Sequence, residues 1–189
     1  MNKTTLRTLY KQKRNDLDLE EVISLDKLIF EELIRYDWSS IQFLHCYLAI
    51  AKFKEYDTLK FIHWIWAKHP HIKIVISRSD FETHELKHFI FDKETELACN
   101  AWGIPEPANA LEVDVEAIDA VLTPLLVLDK SGNRVGYGKG FYDRFFASCK
   151  STVMKAGISY FQPVDKIDDI SEWDVPIDMV FTPGKTFYL

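Results

Sequence analysis

Residues 119–144 read DAVLTPLLVLDKSGNRVGYGKGFYDR, and the reading of the fold turns on the order of features in this stretch. The apolar run over 119–128 reads as a buried strand, with Pro124 marking a break or a sheet edge. A turn, SGNR, follows at 131–134, and three glycines, Gly136, Gly138 and Gly140, then lead into a helix expected over 139–149. A strand, a glycine-rich turn and a helix in succession form one unit of a layered α/β arrangement.

Outward from this stretch the alternation continues. Residues 41–48 (IQFLHCYL), 72–77 (IKIVIS), 86–91 (LKHFIF), 152–159 and 177–182 have strand length and composition. Residues 57–68 (DTLKFIHWIWAK) open on an acid and read as a helix. Residues 2–19 and 20–36 repeat leucine and isoleucine at helical spacing, through Leu6, Leu9 and Leu17, then Val22, Leu25, Leu28, Ile29 and Leu33. The stretch 99–109, with Gly103, Pro105 and Pro107, is expected to be a loop. The expectation is one three-layer α/β domain over 1–189, its sheet mainly parallel or mixed and flanked by helices, with the helices of 1–36 packed on the core. Ligands of such sheets bind at the carboxyl ends of strands.

Composition narrows the partners. The 189 residues carry 29 acids against 23 bases, net −6, which disfavours a domain built for non-specific binding to nucleic acid. Three scattered cysteines, Cys46, Cys99 and Cys149, make neither a disulfide framework nor a zinc motif, so a reducing compartment is expected. No secretory h-region opens the chain and no apolar stretch is long enough to span a bilayer, so the expectation is a cytoplasmic protein without membrane partners.

The glycine cluster is the first candidate site. Backbone N–H groups at a helix start attract anions, glycine lets a ligand approach the backbone, and Arg134 and Lys139 add positive charge. The spacing GxGxG is neither a Walker A loop nor a dinucleotide fingerprint, so a phosphate cradle and a plain tight turn both remain open. Lys3, Arg7 and Arg14 stand at i, i+4 and i+11, within roughly 40° of one another at ~100° per residue. The first fourteen residues hold five bases and no acid, a local reversal of sign that fits a phosphate-bearing small molecule, or else a solvated helix face.

Carboxylates supply the second set. Asp143, in the first turn of the helix after the glycines, either caps that helix or holds Mg²⁺ beside phosphates; Asp174 either joins it or is one more loop acid. Glu55 precedes a helix, and Trp102, in a Gly/Pro loop, is an anchor or a stacking surface. The pairs His84/His88 and His69/His71 invite a metal reading, but no zincin pattern accompanies them.

Taken in order, these blocks resemble the 5-formyltetrahydrofolate cyclo-ligases, also called methenyltetrahydrofolate synthetases. The resemblance runs through the basic helix with Lys3 and Arg7, FKEYDT, WGIPEP, the glycine block, AGISYFQ and WDVPIDMVFTP. It implies conversion of 5-formyltetrahydrofolate to 5,10-methenyltetrahydrofolate with ATP and Mg²⁺. It further implies that Lys3, Arg7 and Arg134, Val135, Gly136, Tyr137, Gly138, Lys139, Gly140, Phe141 and Tyr142 hold ATP, with Arg14 helping from their helix. By the same resemblance Asp143 and Asp174 hold the metal, Ile50, Glu55, Trp102 and Tyr142 line the folate site, and Lys139, Arg7 and Tyr142 act in catalysis. Two positions depart from the family pattern: Phe141 replaces a usual Tyr, and Trp173 a usual polar residue or His. The expected partners are therefore a reduced folate and ATP, bound by a monomer at a nucleotide loop over 130–143. The competing class is a nucleotide-binding regulatory module without catalysis.

Overall fold

The computed structural model describes residues 1–100 and 103–189. Its strands are β1 (Phe43–His45), β2 (Lys73–Asp80), β3 (Glu85–Phe91), β4 (Leu97–Cys99), β5 (Pro105–Pro107), β6 (Ala120–Pro124), β7 (Val127–Leu128), β8 (Arg134–Val135), β9 (Met154–Ile158), β10 (Met179–Thr182) and β11 (Lys185–Tyr188). Its α-helices are α1 (Lys3–Asp16), α2 (Leu19–Arg35), α3 (Leu59–Lys68) and α4 (Phe141–Ser148). Seven strands form one sheet in the order β11-β10-β9-β6-β1-β2-β3. The five from β10 to β2 are parallel, and β11 and β3 close the two edges antiparallel. The α/β class with a mixed, mainly parallel sheet is thus the observed one.

Both faces of the sheet are buried, which is why its central strands carry apolar residues without a polar alternation. Ile74 and Ile76 of β2, Leu122 of β6 and Phe181 of β10 pack with Ile29 and Leu33 of α2 and Phe61 and Ile65 of α3. Val75, Val121 and Val180, one position out of phase, pack with Phe145 and Phe146 of α4 on the other face. Gly157 of β9 sits where a Cβ would lie 2.5 Å from Leu125 and 2.7 Å from Ile177, so only glycine lets those chains cross the strand.

Helix starts follow side-chain chemistry. Asn2 caps α1 by accepting from the Thr5 N–H at 2.8 Å. Asp18 and Glu21 form a capping box that separates α2 from α1. At α3, Asp57 accepts from the Leu59 N–H at 3.0 Å, as its position suggests, while the Thr58 hydroxyl donates to the Tyr47 carbonyl and ties the helix to the loop leaving β1.

The expected strand over 41–48 shortens to β1, because the chain beyond His45 leaves the sheet to form a wall of the cleft described below. The expected loop over 99–109 is in part a two-stranded ribbon, β4 with β5. Prolines 105 and 107 are tolerated at such an edge, and the Glu106 carboxylate between them pins the ribbon to β2, accepting from the Ser79 N–H at 2.8 Å and from Asn100 Nδ2 at 2.9 Å. The break expected at Pro124 is real: the chain leaves β6 there and re-pairs as β7 against β8. Strand β11 had no sequence assignment, although the Pro183-Gly184 turn before it, with Gly184 at φ +70°, is a hairpin signal.

Candidate active site

Strands β1 and β6 are neighbours, yet their chains depart in opposite directions. β1 crosses through α3 to β2, and β6 crosses through α4 to β9. The carboxyl ends part at this switch point and leave a crevice. A cleft of about 650 Å³ opens there, a size suited to small-molecule ligands. The chain after β1 lines it with Ile50, Phe53 and Glu55, and the chain after β6 lines it with Arg134 and Gly136 through Asp143.

One wall is cationic. Lys3, Arg7, Lys11, Arg134 and Lys139 line it, and Lys52 lies on the chain facing it, against three acids in the cleft, Glu55, Asp143 and Asp174, in a chain of net charge −6. Lys3 opens α1, where the helix dipole disfavours a cation. Its ion pair with Asp174 and its backbone N–H to Asp169 at 2.6 Å hold it there, so a local rule is broken in favour of the cleft. Arg7 Nε donates to the Gly136 carbonyl at 2.9 Å. Its guanidinium lies against Gly138, where a Cβ would come within 3.2 Å, and Gly138 itself holds φ +89°. Gly140, at φ +72°, turns the chain into α4. The glycines therefore serve both backbone shape and close approach of a cation. Lys139 is exposed at the rim and makes no ion pair among the described residues.

The two carboxylates expected to hold a metal are held by cations. Asp143 Oδ1 accepts from Arg134 Nη2 at 2.7 Å and from the Val175 N–H at 3.2 Å. Arg134, its side chain 7% exposed, lies over the Phe146 ring and donates to the Val175 carbonyl. Burial pulls the Arg134 pKa down, and Asp143 opposes that pull. Asp174 Oδ2 takes Lys3 and the Ser171 N–H, the latter at 2.6 Å. Every one of these bonds falls on one oxygen of each carboxylate, so Asp143 Oδ2 and Asp174 Oδ1 face no protein donor among the described residues. One or two such oxygens, completed by phosphate oxygens and water, suit Mg²⁺, so the residues fit the ion.

Glu55 stands on the opposite side. It is buried, its Oε2 accepts from the Ile50 N–H at 2.7 Å, and its Oε1 accepts from the Tyr137 hydroxyl at 2.6 Å. Burial raises its pKa against the pull of these bonds and of Arg14. Arg14 is not on the cleft wall with Lys3 and Arg7, although the helical spacing groups the three. The last turn of α1 passes beneath the glycine loop, and Arg14 is buried there, donating to the Tyr137 hydroxyl at 3.1 Å and to the Leu125 carbonyl. Lys11, one turn nearer the start, reaches the wall instead, and its spacing from Lys3 and Arg7 was a usable signal.

The floor holds His45 and Ser77, which the sequence did not single out, with His88 behind them. His45 Nε2 and His88 Nδ1 share the Ser77 hydroxyl at 2.8 and 3.1 Å. Burial holds His45 well below its usual pKa and brings His88 down to about 4, so both rings are neutral near pH 7. The i, i+4 pairing of His84 with His88 has no helix to support it. His84 sits in the β2–β3 turn at φ +59° and stacks on Phe141, while His88 stacks on Phe145. Phe141 also meets Phe81 edge-on at 5.4 Å, an apolar seat that a ring without a hydroxyl fills. Tyr142 lines the cleft, and burial pushes its phenol pKa upward. Val135 is buried beneath the loop, Trp173 is 77% exposed, and Trp102 lies outside the described residues.

With this geometry in place, comparison with known proteins places the chain. It is 28% identical to the 5-formyltetrahydrofolate cyclo-ligase of Mycoplasma pneumoniae, over 95% of this chain and 98% of that one. It is 28% identical to that of Escherichia coli strain K12, over 70% of this chain and 74% of that one. Its fold is similar to the solved 5,10-methenyltetrahydrofolate synthetase of Aquifex aeolicus, with TM-score 0.82 and 26% identity, covering 100% of this chain and 93% of that one. A 5,10-methenyltetrahydrofolate synthetase from Mycoplasma pneumoniae superposes with TM-score 0.75 and 27% identity, covering 96% and 98%. The sequence profile of the 5-formyltetrahydrofolate cyclo-ligase family matches residues 1–183, and the chain, with its glycine loop, basic helix and switch-point cleft, belongs to that family.

Proposed function

We propose that the protein converts 5-formyltetrahydrofolate, with MgATP, to 5,10-methenyltetrahydrofolate, ADP and phosphate. The observation that carries this reading is one cleft with two unlike walls, a cationic glycine loop and an apolar pocket holding a buried carboxylate. ATP lies along Lys3, Arg7, Arg134 and the loop Val135 to Tyr142, and the folate lies toward Ile50, Glu55 and Tyr142, with Trp102 assigned to it by the family resemblance alone. The relatives' names support the folate reaction, and the surplus of positive charge on one wall supports a polyphosphate co-substrate.

A formamide carbon is a poor electrophile, and its oxygen is a poor leaving group. The formyl oxygen attacks the γ-phosphorus of ATP, and ADP departs with the electrons of the broken bond. N10 then attacks the formyl carbon, loses its proton, and the phosphate leaves with the former formyl oxygen. Lys139, Arg7 and the loop N–H groups stabilise charge on the phosphoryl oxygens during transfer. Asp143 and Asp174 are the residues that would hold Mg²⁺, which when bound neutralises phosphate charge. Glu55 accepts from the donor edge of the pterin and fixes the formyl group in line with the γ-phosphate. Every group in this scheme lies within residues 1–189, so the scheme as proposed is that of a single-domain monomer. The test is the absorbance rise of methenyltetrahydrofolate on mixing protein, 5-formyltetrahydrofolate and MgATP. A folded protein that gives no ATP-dependent rise overturns the reading.

A further inference from the structure

Tyr137 belongs to both walls. Its backbone lies between Gly136, whose carbonyl accepts from Arg7, and Gly138, against which the Arg7 guanidinium packs. Its ring stacks on Phe53 at 4.9 Å and 28°, and its hydroxyl meets Glu55 at 2.6 Å. Arg14 fixes the direction of that bond. A guanidinium only donates, so the hydroxyl accepts from Arg14 at 3.1 Å and its own proton goes to Glu55. With Oε1 taking this proton and Oε2 taking the Ile50 N–H, Glu55 is held in one orientation, each oxygen keeping a lone pair for a ligand donor.

From this we propose that Tyr137 is a positioning residue that couples the two ligand sites: occupation of the glycine loop by nucleotide sets Glu55 for the folate through the Tyr137 hydroxyl. The inference rests on the function proposed above and adds a property that function does not require. A phosphate drawn to Arg7 and the loop N–H groups settles the backbone that carries the Tyr137 ring. Glu55 cannot stay bonded to the hydroxyl without responding. Because coupling between sites is reciprocal, bound folate strengthens nucleotide binding by the same factor.

The experiment measures the Kd of 5-formyltetrahydrofolate with and without a saturating non-hydrolysable MgATP analogue. The wild-type Kd is expected to fall about tenfold with the analogue, within the usual range for coupled sites. In Tyr137→Phe, which keeps the ring and loses the hydroxyl, the ratio is expected to fall below about twofold. A purely structural role would weaken either ligand alone and leave the ratio intact, so a retained tenfold ratio in Tyr137→Phe overturns the proposal. Tyr137→Met, read in the same way, replaces the Phe variant should that variant not fold. A wild-type protein that turns over but shows no coupling also overturns it, while leaving the activity standing. A wild-type protein that binds folate but forms no methenyl product refutes instead the function beneath it.

Discussion

The two walls of the cleft are built by different physics. The wall proposed for the nucleotide is charge and backbone: Arg7 on the Gly136 carbonyl, Arg134 on Asp143, Lys3 on Asp174, and glycines where side chains would collide or strain. The wall proposed for the folate is packing and burial: Phe53 on Tyr137, and neutral His45 on Ser77 with His88 behind it. A phosphate needs fixed donors that exist before it arrives, and here α1 carries Lys3 and Arg7 across to Asp174 and Gly136, 171 and 129 positions away. A flat heterocycle needs a shaped, dry slot, which packed rings enclose.

Substitutions that touch one wall should therefore fail differently from those that touch the other. The largest effect is expected at Lys139, exposed and without an ion pair among the described residues. Lys139→Ala should lower kcat/KM about 10²- to 10³-fold, as loss of a transition-state donor does, with the thermal melt unmoved; a small kinetic effect would remove Lys139 from the phosphoryl-transfer machinery. Next is Asp143→Ala. It leaves Arg134 buried without its partner and should cost about 3 kcal/mol of stability by denaturant unfolding, besides activity.

The packing beneath the cleft should answer to acid. The folded pKa of His88, about 4, lies below its ordinary value of 6.5, so the unfolded chain takes up the proton first. Its contribution is complete above about pH 6.5 and is lost as pH falls toward 4, on the order of 2–3 kcal/mol. A His88→Gln variant should flatten that part of the stability profile, and an unchanged slope would contradict the burial argument.

Glu55→Gln should weaken folate binding about tenfold, the worth of a charge-assisted hydrogen bond, and change nucleotide affinity measured alone by less than about twofold. Equal losses for both ligands would blur the distinction between the walls. The wild-type folate affinity should also fall in acid, at a pH above the usual carboxylate range because burial raises the Glu55 pKa, and the Gln variant should lack that limb. The smallest effect is expected at Trp173, which is 77% exposed. Trp173→Ser should stay within about 0.5 kcal/mol in stability, and within about twofold in the KM for either substrate.

Legibility follows the same division. Gly136, Gly138 and Gly140, with Lys3, Arg7 and Asp143, could be read in the linear chain because each acts through its own backbone position or charge. The α/β class was readable for a related reason: periodicity of two and of 3.6 is a local property. The β4–β5 ribbon was hidden because Gly103, Pro105 and Pro107 read as a loop, and the bond that pins it to β2 runs from the Ser79 N–H to the Glu106 carboxylate, 27 positions away. His45, Ser77 and His88 were unreadable as a group because strand register alone brings them together.

Arg14 marks the boundary. Residue type and helical spacing established a basic first helix, net positive charge around a glycine turn, and chemistry suited to phosphate. Spacing measures angle around one helix and carries nothing about what lies above or below it. Whether Arg14 faced ligand or core, whether Glu55 met the nucleotide loop, and which of Lys11 and Arg14 reached the wall depended on how α1 crosses beneath Tyr137. That crossing is set by packing between segments more than a hundred residues apart, where burial and shape act and sequence distance has no meaning.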